Sequence, residues 1–348
     1  MTALFTARQA FVDFKPSDFR SGVSMKQSIR NVIPAIVLLF LGGIAPSRAQ
    51  DSSHRTIAIT IDDLPAAAAD FMTGVEINEM TAKLLTTLRD QKVPAVGFVN
   101  EKKLYKLGQV DARINALKMW GDCGFELGNH TFAHTSLNRV TLKEWEEDVI
   151  RGETVTAMLL AQHNMKLRYF RHPYLDTGRD LQDRRDAEAF LVSRGYRIAP
   201  VTMDAWDWMY SGVYEDARRR GDTELQHKLL DSYFKYTSDV FDYYEKLSKT
   251  LIGYEPAQIL LLHGNWLEAD HIGELLDLLR KRGYSFVTLQ DALSDSAYSM
   301  PDDFVGEEGG SWLEHWAITR GQPPRDAPQF PQWVIDLSKA LPRRPTQP

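Results

Sequence analysis

The chain has 348 residues and 43% of them are hydrophobic, which is enough for one large domain or two small ones with a sizeable core. Its formal net charge is −6, so no basic surplus exists to meet phosphates, which argues against nucleic acid as a partner. Because Cys123 is the single cysteine, the fold has no intramolecular disulfide and depends on its core.

Residues 25–50 have the pattern of a secretory signal peptide, whereas residues 1–24 do not, so we expect the protein to start at Met25. Two basic side chains in residues 26–30 precede an apolar run at 32–44, which is too short to favour a membrane span, and residues 47–49 resemble a cleavage site. An uncleaved anchor helix is the alternative. We expect residues 1–49 to be removed in a bacterial periplasm or exterior, leaving no stable membrane span. Removal takes away six of the 41 Lys and Arg and two of the 47 Asp and Glu, which shifts the net charge from −6 to −10.

Strands and helices alternate along the rest of the chain. Apolar residues spaced by three and four predict helices, and β-branched apolar runs predict strands. The predicted strands lie at 56–61, 94–99, 125–127, 167–170, 197–203, 259–262 and 284–289, and the predicted helices at 76–90, 111–120, 142–162, 186–194, 275–279 and 290–293. This alternation indicates parallel βα units, and polar groups at the strand ends are typical of a β/α barrel.

Two stretches extend this pattern. Residues 209–257 have the apolar spacing of one long helix or a hairpin of two, and form either a lengthened crossover or a wall for the substrate. Residues 301–348 are rich in proline and glycine and contain three tryptophans. We interpret them as an extension packed on the barrel at 50–300, with sugar stacking by the tryptophans as the alternative.

Candidate metal ligands occur in two places. His130 and His134 stand four residues apart, so on a helical turn their imidazoles can converge on one ion, although two ordinary histidines are the alternative. A hydrolytic zinc ion has about three protein ligands and one open position for water. The third ligand would therefore come from elsewhere in the chain. Asp62 and Asp63 directly follow the predicted strand 56–61. Removing two adjacent carboxylates from water is costly unless each has a partner, so one could bind a cation while the other acts as a base. The alternative is a solvated turn before Pro65.

Polar residues also follow three later predicted strands. Together with the first two sites they form five motifs, in chain order at 60–64, 130–134, 171–174, 204–208 and 261–263. The chain therefore resembles the polysaccharide deacetylases, carbohydrate esterase family four with the NodB homology domain. That family has Thr-Phe-Asp-Asp-Gly, His-(Ser/Thr)-x-x-His, Arg-x-Pro-(Tyr/Phe), Asp-x-x-Asp-Trp and Leu-x-His in the same order, and the resemblance covers residues 56–295.

This resemblance implies a fold and a metal centre. The family has a distorted (β/α) barrel of about seven parallel strands, which agrees with the predicted elements. Asp63, His130 and His134 would bind a divalent metal. Zinc suits such a mixed set of ligands best, and cobalt, nickel or manganese could occupy the same site.

The resemblance also implies roles in hydrolysis. Asp62 would be the base, oriented by Arg171, and His263 would be the acid that protonates the leaving nitrogen. Asp204 would lie beside His263 and favour its charged form. The remaining implied residues bind the substrate: the backbone N–H of Tyr174 would hold the oxyanion, and Trp208 and Leu261 would line a pocket for the acetyl methyl group.

The implied function is removal of acetyl groups from an N-acetylated or O-acetylated glycan by water activated at the metal. One alternative is a hydrolase of a small, non-sugar amide, and another is a secreted glycan-binding protein without catalysis. Leu64 stands where the family has glycine, so we expect extra bulk at the cleft and a change in substrate access.

Overall fold

The structure, a computed structural model, describes residues 55–341, which lie within one compact unit, Gln50–Pro348. The predicted signal peptide, its cleavage site and the start at Met25 lie outside the described residues. Within the described part of the chain, no helix is both long and apolar enough to span a membrane.

One curled sheet of parallel strands forms the centre of the fold. Its strands are β1 (Arg55–Leu64), β2 (Ala95–Val99), β3 (Glu126–Asn129), β4 (Tyr169–Phe170), β5 (Arg197–Ile198), β6 (Met203–Asp204), β7 (Gln258–His263) and β8 (Tyr284–Phe286). Seven strands run in the order β5-β4-β3-β2-β1-β7-β6, and β8 pairs with the first residues of β1. This confirms the predicted α/β fold, a distorted barrel of about seven parallel strands.

The barrel is closed by a stretch that was predicted as one strand, 197–203. That prediction is wrong, because β5 and β6 are separate and pair with opposite edges of the sheet. Between them, the Ala199 N–H donates to the Phe170 carbonyl at 2.8 Å, and the Thr202 N–H donates to the Ile259 carbonyl at 3.0 Å. The same extended stretch therefore contacts β4 at one end and β7 at the other.

Helices surround the sheet. They are α1 (Gly74–Asp90), α2 (Val110–Asp122), α3 (Leu142–Arg151), α4 (Thr154–Ala161), α5 (Leu181–Ser193), α6 (Asp207–Arg220), α7 (Thr223–Ile252), α8 (Trp266–Lys281), α9 (Leu289–Ala292), α10 (Trp312–Thr319) and α11 (Gln332–Ala340). In α1 the apolar residues spaced by three and four are buried, as the periodicity predicts. Thr73 caps this helix and forms a capping box with Glu76.

The predicted helix 142–162 is wrong as one element, since it divides into α3 and α4 at Gly152. A Cβ atom on Gly152 would lie 2.9 Å from both the Phe132 nitrogen and the Asn129 carboxamide oxygen. The chain therefore bends where the loop that carries the two candidate histidines packs against it.

Residues 209–257 belong to a helical hairpin, the second of the two predicted forms, in which α6 and α7 are joined at Gly221. The C-terminal helices pack on this hairpin, α11 on α6 and α10 on α7. Trp312 and Trp316 are buried, so neither is exposed to stack on a sugar. Trp333 is partly buried and lies under the Lys228 ammonium group.

Candidate metal and catalytic site

The two adjacent aspartates lie on a bulge at the end of β1. The register between β1 and β2 shifts between Ile61 and Leu64, and Asp63 has a left-handed backbone with φ 71°. Side chains of neighbouring residues in a regular strand point to opposite faces, whereas a bulge re-aims one of them. Both carboxylates consequently lie near the candidate histidines: Asp62 Oδ2 is 3.7 Å from His130 Nε2, and Asp63 Oδ1 is 3.5 Å from His134 Nε2.

The bulge also decides where the Leu64 side chain lies. Leu64 is buried, and its methyl groups fill the space beside Gly97 and Gly264, where added Cβ atoms would lie 2.3 and 3.0 Å from them. The prediction that Leu64 places bulk in the cleft is therefore wrong. The side chain packs in the core because two glycines leave room for it.

Asp63, His130 and His134 form a cluster that could hold a metal ion. One ligand atom from each lies within 4.8 Å of the others. The two histidines come from the loop after β3, where Thr131 and His134 have left-handed backbones, so a tight loop rather than the expected helical turn brings the imidazoles together. Their ring centroids are 4.8 Å apart.

The protonation of the cluster fits a divalent cation. His130 Nδ1 lies 2.8 Å from the Arg171 carbonyl oxygen, which can only accept, so Nδ1 carries the hydrogen and Nε2 keeps its lone pair for a metal. Burial lowers the pKa of His134 to about 4 and holds that of His130 well below its ordinary value, so both rings are neutral. Two neutral imidazoles and one carboxylate are a donor set that zinc accepts.

Lys103 lies against the carboxylate of the cluster. Its ammonium group donates to Asp63 Oδ1 at 2.9 Å and approaches the Asp63 carbonyl oxygen at 3.2 Å. Burial alone would raise the pKa of Asp63, but Lys103 and His134 hold it well below its usual range. Sequence analysis missed this contact, because Lys103 belongs to a short 3₁₀ helix, Glu101–Leu104, with no motif of its own.

Asp62 is buried beside a buried guanidinium group. Arg171 Nη1 lies 3.2 and 3.3 Å from the two carboxylate oxygens of Asp62, as the resemblance implied. Arg171 also donates to the Ala199 carbonyl at 2.6 Å and to the Thr60 hydroxyl at 3.0 Å, so its orientation is fixed. Burial raises the pKa of Asp62 to about 6 despite the opposing charge of Arg171. At neutral pH this carboxylate is therefore ionised, and its pKa is close enough to neutral pH for it to accept a proton.

His263 lies at the end of β7, next to Asp62 in the pairing with β1. Its expected partner was Asp204, but the carboxylate that contacts it is Asp207, whose Oδ1 is 2.8 Å from His263 Nδ1. Asp204 instead accepts the Trp206 N–H at 2.9 Å. Burial alone would lower the pKa of His263, but Asp207 raises it to about 10, so the ring is a cation at neutral pH.

Asp207 is itself held by three donors from β7 and the start of α8. They are the His263 ring, the His263 backbone N–H at 3.0 Å, and the Asn265 amide at 2.8 Å. Asn265 also caps α8 through the Glu268 N–H, so its place is fixed. Asp207 stands in the predicted Asp-x-x-Asp-Trp motif, and only the start of α6 at this residue decides that it, rather than Asp204, faces His263.

The residues expected to contact substrate have different exposures. The Tyr174 backbone is left-handed, with φ 59°, and within residues 55–341 its N–H has no hydrogen-bond acceptor. The Tyr174 ring is half exposed and lies 4.4 Å from the His134 ring, between centroids. Trp208 is 47% exposed, so it can contact a ligand. Leu261 is only 5% exposed and belongs mainly to the core.

Comparison with known proteins identifies similarity in the part of the chain that contains the first three motifs. Residues 49–189 match the family model described as polysaccharide deacetylase. This part of the chain is therefore similar to the polysaccharide deacetylases. The family region contains β1 to β4 and the metal cluster, whereas Asp207 and His263 lie beyond it.

A curated relative, the peptidoglycan-N-acetylglucosamine deacetylase of Bacillus cereus, is 22% identical over 245 residues, which are 69% of each chain. A family 4 carbohydrate esterase from Streptomyces lividans is similar in structure, with 16% identity, a TM-score of 0.45 and coverage of 68% of this chain and 95% of that one. A CE4 family pseudoenzyme from Bacillus anthracis has 17% identity, a TM-score of 0.45 and coverage of 70% and 66%.

Proposed function

We propose that this protein is a metal-dependent hydrolase of the polysaccharide deacetylase family, which removes the acetyl group from an N-acetylated glycan. The observation that carries the proposal is the presence, at one end of the barrel, of a metal-ligand cluster, an ionised buried carboxylate and a protonated histidine. The named activity of the curated relative supports an N-acetyl sugar as the substrate class. O-acetylated glycans and small amides are the alternative substrates, and an acetate-release assay distinguishes them from N-acetylated glycans.

The proposed metal ligands are Asp63, His130 and His134. A divalent cation held by them would polarise the acetyl carbonyl and lower the pKa of water. The chain contributes a fixed geometry to this site, because the Arg171 carbonyl orients the His130 ring and Lys103 bonds Oδ1 of Asp63, the oxygen that lies nearest His134.

The proposed base and acid are Asp62 and His263. Asp62 is ionised at neutral pH and takes a proton from the attacking water, while Arg171 keeps its carboxylate in one orientation. His263 keeps its proton because of Asp207, and donates it to the nitrogen that leaves. Opposite protonation states in one site are what an acid–base pair requires.

The proposed oxyanion donor is the backbone N–H of Tyr174. It carries no other hydrogen bond within residues 55–341, and its ring contacts the ring of the proposed ligand His134. A donor that is held in place before the reaction stabilises negative charge at little cost in reorganisation. Trp208 and Leu261 are proposed to line the space for the acetyl methyl group.

Acetate release tests the proposal. The zinc-loaded protein should release acetate, with an equal amount of free amine, from chitooligosaccharides or peptidoglycan, and less from acetylxylan and from small N-acetyl amides. The Asp62→Asn variant is the matched control for a contaminating enzyme. Release of no acetate from any of these by the metal-loaded protein would reject the function. Release from small amides alone would favour a non-sugar amide hydrolase.

We also propose a periplasmic or extracellular location, on the sequence pattern of residues 25–50 and the peptidoglycan activity named for the relative. N-terminal sequencing of the exported protein should give a first residue near Gln50. A mature chain that begins at Met1 or Met25 would contradict cleavage.

A further inference from the structure

The turn that carries the proposed oxyanion donor has an unfavourable backbone. It is a short 3₁₀ helix, Pro173–Leu175, in which both Tyr174 and Leu175 have φ 59°. Residues with a Cβ atom are disfavoured in this left-handed region, and two in succession persist only where the surroundings hold them. Something outside the turn must therefore fix the direction of the Tyr174 N–H.

A segment of the C-terminal extension, residues 302–310, lies directly against this turn. At Gly309 a Cβ atom would be 2.2 Å from the Leu175 carbonyl carbon and oxygen and 2.6 Å from the Tyr174 oxygen, so the two backbones touch. The Gly309 N–H donates to Asp176 Oδ1 at 2.8 Å. The other oxygen of Asp176 accepts the Ser136 hydroxyl, which belongs to the loop of the two candidate histidines.

Two further anchors hold the 302–310 segment in place. Asn138 donates to the Gly306 carbonyl at 3.0 Å and accepts the Gly178 N–H at 2.9 Å, so it joins the segment to both loops of the site. Arg184 on α5 is buried and bonds Asp302 at 2.7 Å and the Phe304 carbonyl at 2.6 Å. The segment is therefore fixed at its first residues as well as at Gly309.

We propose that the 302–310 segment positions the Tyr174 N–H for the oxyanion, with Gly309 and Asp176 as positioning residues. This inference rests on the proposed hydrolysis. The segment lies outside residues 49–189, which the family model matches, so this chain supplies the support from its own extension. Gly309 is required at the contact because any larger residue would push the two backbones apart.

The sharpest test compares Gly309→Ala with Gly310→Ala in the full-length, zinc-loaded protein. A Cβ at Gly310 would meet only the ends of flexible side chains, with the nearest atom, Glu314 Oε2, at 3.2 Å. The substrates are N-acetyl chitooligosaccharide and the activated ester 4-methylumbelliferyl acetate. We expect Gly309→Ala to lower kcat about tenfold or more on both, since both reactions form an oxyanion, with little change in KM. Gly310→Ala should change kcat by less than about twofold.

Two measurements separate positioning from general damage. Zinc content and the exchange of amide hydrogens outside residues 173–178 should be the same in both variants, while amides within 173–178 should exchange faster in Gly309→Ala alone. An unchanged kcat, or a fall explained by lost zinc or by faster exchange throughout, would overturn the proposal.

A second variant covers the case in which Gly309→Ala does not fold. Asp176→Asn keeps the size of the side chain but weakens the bonds to Gly309 and Ser136, and should lower kcat on both substrates in the same way. If the wild-type protein hydrolyses neither substrate, the proposed function is wrong. Hydrogen exchange would still test whether the contact with Gly309 holds residues 173–178 in place. Equal exchange of 173–178 in the wild type and Gly309→Ala would then overturn it.

Discussion

At the scale of single residues, the charge on His263 depends on Asp207. Asp207 raises the pKa of His263 from its ordinary 6.5 to about 10, although burial acts in the opposite direction. A proton-donating group is active below its pKa, so activity should persist at alkaline pH and fall only as the pH approaches 10. The same pair stabilises the fold, fully below pH 6.5 and progressively less as the pH rises to about 10.

The substitution Asp207→Asn should move the alkaline fall in kcat to lower pH, because the largest effect that opposes burial of His263 is then lost and only the smaller effects of Asp63 and Asp62 remain. Rate profiles from pH 5 to 11 measure this. Asp204→Asn is the matched comparison, since the Asp204 carboxylate accepts the Trp206 N–H and forms no hydrogen bond with His263. An equal shift in both variants would mean that Asp207 has no special role.

Amide and ester substrates separate the acid from the base. His263→Ala should slow amide hydrolysis by about 10²-fold or more and activated esters much less, because an activated leaving group needs no proton. Asp62→Asn should slow both substrates by a similar factor, since both need the attacking water to lose a proton. Both variants should keep their zinc, measured by atomic absorption. A loss of ester hydrolysis as large as that of amide in His263→Ala would contradict its role as the acid.

At the scale of elements, the α6–α7 hairpin depends on one backbone conformation. Gly221 ends α6 with φ 67°, and an added Cβ would meet no atom within 4 Å, so the strain is purely local. Gly221→Ala should lower the free energy of unfolding by about 1 kcal/mol. Gly212→Ala, inside the same helix and with its Cβ 3.5 Å from Leu341, should raise it by about 0.5–1 kcal/mol. Urea unfolding measures both, and an equal effect would contradict the explanation.

Periodicity predicted most elements because apolar spacing is a local property. It failed where distant parts of the chain decide. The break at Gly152 reflects a contact with the histidine loop, and the division of 197–203 reflects pairing with two strands far apart in sequence. In both places the sequence contains a residue that can break the element, Gly152 or Pro200, but the apolar pattern continues on both sides of it.

The sequence predicted which residues come together at the candidate site better than it predicted the contacts between them. Asp63, His130 and His134 do converge, and Arg171 does contact Asp62, because these residues stand in motifs at strand ends. The choice between Asp204 and Asp207 could not be made from the motif. It depends on where α6 begins, and helix boundaries are weakly specified by sequence.

At the scale of the whole molecule, a bound metal should contribute to stability. A cation that binds only the folded state stabilises it by about 2.7 kcal/mol at a free concentration 100 times Kd. For a chain of this size that raises Tm by several degrees. Calorimetry with zinc and after chelation should show the difference, and His134→Ala should remove it. A zinc-dependent shift that persists in His134→Ala would remove this residue from the ligand set.

The central position of β1 has a consequence for how the chain acquires its fold. β1 lies between β2, which follows closely in sequence, and β7, whose Leu260 carbonyl accepts the Thr60 hydroxyl from 200 residues earlier in the chain. Contacts at such separation make folding slow, because a long loop must close before they form. A chain cut at residue 189 would retain all three metal-ligand candidates yet leave one edge of a buried, apolar strand without its partner, and exposed edges of that kind promote aggregation. We therefore expect the smallest unit that folds to be longer than the segment that the family model matches, and to extend at least through β7.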